Sequence, residues 1–436
     1  MPVHRRPAVG DVGDLPAIGG HLDAMDGVRA VASFGVLLYH VASTTGASLR
    51  EGFLPSLLSR GDIGVPIFFL LSGFLLYRPW ARRTVRGTGA DRVHGAHERA
   101  GDTGNPRDAG DAEDAVAAPD VGDYLWKRAL RILPAYWLVV VVALTLWSWP
   151  QAADPWKWLP FVLLVQNYVP DPWWGGVSPP GLGQMWSLSV EMTFYLALPL
   201  IAAALHALAR RGADPVARAR LLLGGVCALG AVSPLWAAFS HYPVHRPELG
   251  LWLPRLLVYF AAGMALAVVS LWAHAEPDPD APVRRLTRGI RESWVTCWII
   301  AGLVYVVAAS PIAGGRLFEM QDLWTDLFEM TLYTVFVLAL LSPVALQPPG
   351  PSPIRSLLGN PVMRYLGRIS YGVFLWQFVV IVGWYELTGQ ESFSGGLLST
   401  LAVCTALTVL LADLSHRLVE APALRLHRLR RRPARD

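Results

Sequence analysis

The sequence predicts an all-α fold: a polytopic integral membrane helical bundle of about ten transmembrane helices with one short re-entrant or interfacial segment. Three observations predict it. Hydrophobic residues make up 53% of the 436 positions and charged residues only 16%, a balance that ordinary soluble domains do not have. The charges are segregated between apolar runs of about 18 to 22 residues, the length that crosses roughly 30 Å of hydrocarbon. The arginines cluster between those runs in a pattern that orients them.

The apolar runs lie at 28–45, 63–80, 132–149, 156–169, 186–208, 220–240, 253–273, 294–311, 325–346, 369–388 and 396–416. If every one crossed, the loop holding Arg210, Arg211, Arg218 and Arg220 would face outside. So would the tail holding Arg425, Arg428, Arg430, Arg431, Arg432 and Arg435, against the positive-inside rule. The run 156–169 is the shortest, is flanked by Pro155 and Pro170, and leads into a Pro/Gly/Trp-rich loop without Lys or Arg. Read as re-entrant or interfacial, it leaves ten spans with both termini cytoplasmic. The Arg-rich loops 81–131, 209–219, 274–293 and 347–368 then all fall inside.

The domain organisation follows. Residues 1–26 form a cytoplasmic tail, 27–420 the membrane domain and 421–436 a basic cytoplasmic tail. The stretch 81–122, rich in Gly, Asp, Ala and Arg without apolar periodicity, reads as a disordered cytoplasmic loop insertion. Its His94 and His97 have no ligand geometry and read as solvated. The first 26 residues contain four aspartates and no apolar core, so no cleaved signal peptide is expected. The formal charge of +4 argues against nucleic acid as a partner. Cys227, Cys297 and Cys404 show neither a disulfide framework nor metal spacing and read as packing residues, so no metal is expected. Basic residues are overwhelmingly Arg, with Lys only at Lys127 and Lys157, as in GC-rich bacterial genomes; the membrane is then expected to be the bacterial inner membrane.

Ionisable side chains inside a bilayer are expensive and mark candidate sites. Arg29 and His40 in the first span are eleven residues apart, three helical turns plus about 20°, so they share a face about 16 Å apart along the axis. His40 alone among the histidines lies well inside an apolar run. It reads either as a general base able to take a proton from a hydroxyl attacking a thioester, or as a histidine hydrogen-bonded between helices. In the span that begins at Trp186, Glu191 falls about a turn and a half below the outer surface, a depth like that of His40. The two are expected to be able to meet, the carboxylate orienting the imidazole; an interhelical pairing for assembly alone is the other reading. Arg78, Lys127, Arg128 and Arg131 gather at the cytoplasmic ends of spans two and three. They form either a mouth for the phosphates of an acyl-CoA donor or ordinary topology anchors. Ser72 and Gly73 read as small residues for close helix packing rather than as a nucleophile.

At these residues the chain resembles the membrane acyltransferase 3 family, bacterial O-acyltransferases acting on surface glycans, peptidoglycan and macrolide sugars. The resemblance covers most of 22–425. It rests on the Arg29-x10-His40 spacing, on Gly64-Val-Pro-Ile-Phe-Phe-Leu-Leu-Ser-Gly-Phe-Leu-Leu76, on Arg128-Ala-Leu-Arg131-Ile-Leu-Pro134-Ala-Tyr136-Trp137, and on Trp186-Ser-Leu-Ser-Val-Glu191-x3-Tyr195-x3-Pro199. Further matches are Gly367-Arg-Ile-Ser-Tyr371-Gly-Val-Phe-Leu375 and Glu420-Ala-Pro422. The resemblance implies an acyl-CoA donor approached from the cytoplasm and a carbohydrate or glycosylated acceptor. It also implies His40 as the catalytic base and Arg29 and Arg131 as donor- or intermediate-stabilising residues. Glu191 matches the family's Trp-Ser-Leu-x2-Glu motif and is expected in the catalytic set, and Arg128 and Arg78 are expected beside Arg131 at the donor. Tyr136, Trp186, Tyr195 and Gln377 are the expected substrate-binding side chains. Two departures stand out: Trp376-Gln377 replaces a frequent family histidine, and the loop between spans two and three is long. No appended periplasmic esterase-like domain is expected. The function these readings favour is O-acyl transfer, with acetyl or another short chain as the group moved. The alternatives are a multi-span transporter or exporter, since mid-depth charges also line translocation pathways, and a non-catalytic membrane assembly partner.

Overall fold

A computed structural model describes residues 15–16, 22–87, 119–315 and 321–430. Most of the tail 1–26, residues 88–118 of the expected insertion with His94 and His97, and the last six residues of the basic tail lie outside the described residues. The described part of that insertion is not irregular at its start, because helix continues to Arg86 and resumes at Val121.

The described residues form helices and turns without β-strands. The long helices are α1 (Asp23–Thr44), α2 (Gly64–Arg86), α3 (Val121–Trp147), α4 (Met185–Ala209), α5 (Pro215–Gly230), α6 (Val232–His241), α7 (Leu253–Ala275), α8 (Pro282–Glu292), α9 (Trp294–Ala308), α10 (Leu323–Ala345), α11 (Pro361–Thr388) and α12 (Leu397–Ser415). Eight helical stretches are long and apolar enough to cross a membrane, with α5 and α6 making one of them; the α8–α9 pair, bent by 77°, makes up to nine. At 22 residues, about 33 Å, α1 is also long enough, and its apolar content is diluted by Asp23, Asp26, Arg29 and His40. With it the count agrees with the expected ten.

Local chemistry sets several helix starts. Asp120, Asp214, Asp322 and Asn360 each accept backbone N–H bonds as N-caps, and Pro215 and Pro361 follow two of them at the first helical position. At the core, Phe260 of α7 stacks between Phe69 of α2 and Phe194 of α4, with centroids 4.6 and 4.0 Å away. Gly73 of α2 lies against the Phe260 carbonyl and Gly263 of α7 against the Leu70 carbonyl, where any Cβ would collide. Reciprocal glycines let these two backbones approach closely, the device expected of Gly73.

The run 156–169 is broken into three short helical pieces, Pro155–Trp158, Leu159–Val162 and Gln166–Tyr168, none long enough to cross. It turns back into the bundle. Tyr136, eleven residues or about 16 Å before the end of α3, donates to the Phe161 carbonyl at 2.8 Å. Ser189 donates to the Leu164 carbonyl, while Gln166 and Asn167 donate to the Met185 and Trp186 carbonyls. Non-helical backbone at such depth is tolerated because protein groups satisfy it. One consequence reaches the site: α4 starts beneath this segment, with Met185 fully buried, rather than at a surface.

Candidate functional site

Three cavities lie between α1, α2, α3, α4, α6, α7, α10 and α11, and Val65, in the first turn of α2, lines all three. The first, about 310 Å³, opens toward the arginine-rich end where α1 begins. Arg29, Arg128 and Arg131 line it together with Asp26, Ser72, Glu191 and Tyr195, above an apolar wall that includes Phe68, Leu71, Leu75 and Phe374. Arg29 lies 4.0 Å from Asp26. Arg128 sits over the Tyr195 ring, 6.0 Å from its centroid. Glu191 accepts hydrogen bonds from both Ser72 and Tyr195, whose oxygens are 3.3 Å apart. Ser72 therefore serves this polar knot, while its neighbour Gly73 serves packing; the expectation held for the pair divides between them.

Arg78 does not line the cavity. It is buried one turn beyond Phe74, over whose ring it lies at 5.4 Å. Its Nε and Nη2, the Nε atoms of Arg82 and Arg128, and the Tyr124 hydroxyl are buried without hydrogen-bond partners among the described residues. A buried donor left unmade is costly, so this group of cationic donors fits an anion.

The second cavity contains His40, with Tyr39, Ser43, Gln184, Ser187 and Phe378, and shares Val65, Ser187 and Phe374 with the first. His40 Nδ1 lies 3.1 Å from Gln377 Oε1. Gln377, fully buried, donates its amide Nε2 to the Phe374 carbonyl at 3.1 Å. A carbonyl can be served only by the NH2 side of the amide, so Oε1 must face the ring. Oε1 is an acceptor only, which puts the proton on Nδ1 and leaves the Nε2 lone pair free. The ring is flanked by Phe378 with centroids 4.4 Å apart, and Nε2 has no hydrogen-bond partner among the described residues.

His40 and Glu191 are not brought together. Depth counted from a surface puts Glu191 too shallow, because α4 begins under the re-entrant segment; Glu191 belongs to the arginine cavity and the histidine's partner is Gln377. Arg29 and His40 do open onto adjoining cavities along one face of α1. Of the expected substrate-binding residues, Tyr195 lines the first cavity, Trp186 the second and third, and Gln377 stands behind His40. Tyr136 lines none of the three, its hydroxyl being used to hold the re-entrant segment.

The third cavity, about 300 Å³, was not foreseen. It lies at the opposite end of the bundle and gathers Asp62, Arg255, Asp326, Glu329 and Tyr333. Arg60 pairs with Glu329 at 2.8 Å, Arg255 pairs with Asp326, and Tyr333 donates to Asp62 at 2.9 Å. The rule that singled out His40 would have found Asp326 and Glu329, both inside the run 325–346; their nearness to its end hid them. Among the described residues no group of three or more His, Cys, Asp or Glu side chains is placed to hold a metal ion.

A family model described as an acyltransferase domain matches residues 22–417. The chain is 24% identical over 422 residues to the peptidoglycan O-acetyltransferase OatA of Listeria monocytogenes, covering 92% of this chain and 56% of that protein. It is 25% identical over 455 residues to the acyltransferase MdmB of Streptomyces mycarofaciens, covering 94% of each. The chain thus spans about half the length of the Listeria protein and nearly all of the Streptomyces one. No solved structure matches it.

Proposed function

The chain belongs to the acyltransferase family whose domain it matches over residues 22–417, and from that premise we propose that it is a membrane O-acyltransferase moving an acyl group from acyl-CoA to a carbohydrate hydroxyl. The observation that carries this reading is the free Nε2 of His40 in a cavity sharing Val65, Ser187 and Phe374 with one lined by Arg29, Arg128 and Arg131. A base and an anion-holding pocket thereby adjoin.

In the reaction, His40 Nε2 takes the acceptor proton as the hydroxyl oxygen attacks the thioester carbonyl. The tetrahedral oxyanion collapses, the C–S bond breaks, and the CoA thiolate leaves with the proton returned from the imidazolium. Arg29, about 16 Å from His40 along α1, and Arg131 supply positive charge toward the anionic donor together with Arg78 and Arg128, whose unmade hydrogen bonds suit its phosphates. Glu191 lines the same cavity as Arg29, Arg128 and Arg131, held by Ser72 and Tyr195, and belongs to the donor side rather than beside the histidine. The carbohydrate acceptor is favoured by the Listeria relative, an O-acetyltransferase of peptidoglycan, which also favours acetyl as the group moved.

The arginine-rich end faces the cytoplasm of a bacterial inner membrane, with both termini inside, a reading supported by the positive-inside distribution of arginines. A cysteine placed at Gly176 then reacts with a membrane-impermeant maleimide from outside; labelling from the cytoplasmic face alone would reverse the orientation. The transfer reading is tested with radiolabelled acetyl-CoA in membranes. A His40→Ala protein, present at wild-type levels, is expected to lose at least 100-fold of its transfer rate. Undiminished transfer by that variant would remove His40 from the chemistry.

A further inference from the structure

We propose that the third cavity is the acceptor site and that its ligand is a hydroxyl-rich ring, a sugar unit whose attacking hydroxyl is aimed by Asp62; this rests on the acyl-transfer reading above. Four features argue for that chemistry. Two ion pairs, Arg60 with Glu329 and Arg255 with Asp326, hold fixed polar atoms at the cavity, and Arg246 of the same lining lies over the Phe239 ring and donates to its carbonyl, so ligand hydroxyls can hydrogen-bond to these groups without bringing a counter-charge. Asp62, by contrast, accepts from one side chain among the described residues, the Tyr333 hydroxyl. A carboxylate has about four acceptor sites, so Asp62 keeps room for ligand hydroxyl donors. The half-buried indole of Trp186 forms part of the wall, offering an apolar face to the C–H side of a sugar ring.

The fourth feature is position. Asp62, Val65 and Trp186 line both this cavity and that of His40. A ring held in the third cavity can therefore extend one hydroxyl past Asp62 into the second, where Nε2 of His40 has no donor among the described residues. The donor enters from the opposite end through the arginine cavity, and the two substrates meet at Val65. Carboxylate and hydroxyl partners on Asp62 act on where the acceptor lies, not on how the donor binds.

The test uses native membranes that hold the endogenous acceptor, [14C]acetyl-CoA as the labelled donor, and full-length protein carrying Asp62→Asn or the milder Tyr333→Phe. Each variant is first checked for wild-type abundance and detergent-extracted monodispersity. At saturating acetyl-CoA, Asp62→Asn is expected to lower acceptor labelling at least tenfold and Tyr333→Phe about threefold, with the KM for acetyl-CoA within twofold of wild type. The wild-type label is expected on a base-labile ester of a carbohydrate-containing product. Labelling at the wild-type rate in both variants would overturn the assignment, as would a KM for acetyl-CoA that rises in step with the loss, or label carried by a product that contains no carbohydrate. Wild-type membranes that transfer no label at all from acetyl-CoA would instead overturn the transferase reading itself.

Discussion

The imidazole of His40 is fixed by an amide rather than a carboxylate: Gln377 Oε1 lies 3.1 Å from Nδ1, and the same amide is anchored to the Phe374 carbonyl one turn earlier on α11. A neutral partner suits the interior of a bundle, where an unpaired carboxylate would be costly to bury. It sets the tautomer without adding charge. Gln377→Ala should therefore leave His40 present but free to rotate and to protonate at either nitrogen. The expected result is a fall in kcat of about 10- to 100-fold, a share of what a general base contributes. The KM for acetyl-CoA and the melting temperature should stay near wild type. A parallel loss of melting temperature and of kcat would make Gln377 a packing residue instead.

Helix packing gives a prediction that is independent of the chemistry. An alanine Cβ at Gly73 would run into the Phe260 carbonyl, and one at Gly263 into the Leu70 carbonyl, both backbone atoms that cannot swing aside. Gly73→Ala and Gly263→Ala are each expected to destabilise the bundle by about 1–3 kcal/mol, the usual cost of overpacking, read as a lower melting temperature in detergent. Gly35→Ala is the control. Nothing lies within 4 Å of a Cβ there, and it sits inside α1, where alanine favours the helix. Equal melting temperatures for all three would refute the close crossing of α2 and α7.

Which features the sequence disclosed follows from what each signal measures. Apolar runs and arginine placement report on the membrane, so they located the helices and set apart 156–169, whose three short pieces turn back into the bundle. Helical periodicity reports on one helix at a time, so it put Arg29 and His40 on one face, where they line adjoining cavities. Neither signal measures the height of one helix against another. Glu191 was thus set level with His40, although α4 starts beneath the re-entrant segment. The same blindness hid Tyr136, whose hydroxyl is claimed by a carbonyl 25 residues on. Asp62, Asp326 and Glu329 lie near run ends, where charge is ordinary, and only the fold gathers them into one cavity.

Val65 carries no sequence signal at all, being a valine in an apolar run, yet it is the one residue common to the three cavities. Its small branched side chain leaves the junction open, and a larger one would fill it. Val65→Phe adds a ring at the point where donor and acceptor must approach within bonding distance. Transfer demands near-attack geometry, and a displacement of about 1 Å can cost 100-fold. The variant is expected to lose at least tenfold in transfer rate while binding acetyl-CoA as wild type does, since the arginines that would hold the phosphates lie at the far end of the first cavity. Val65→Ala, which widens the junction, should keep transfer within about threefold. Wild-type transfer by Val65→Phe would mean that the cavities do not act as one path. Loss of acetyl-CoA binding in that variant would mean that the junction belongs to the donor alone.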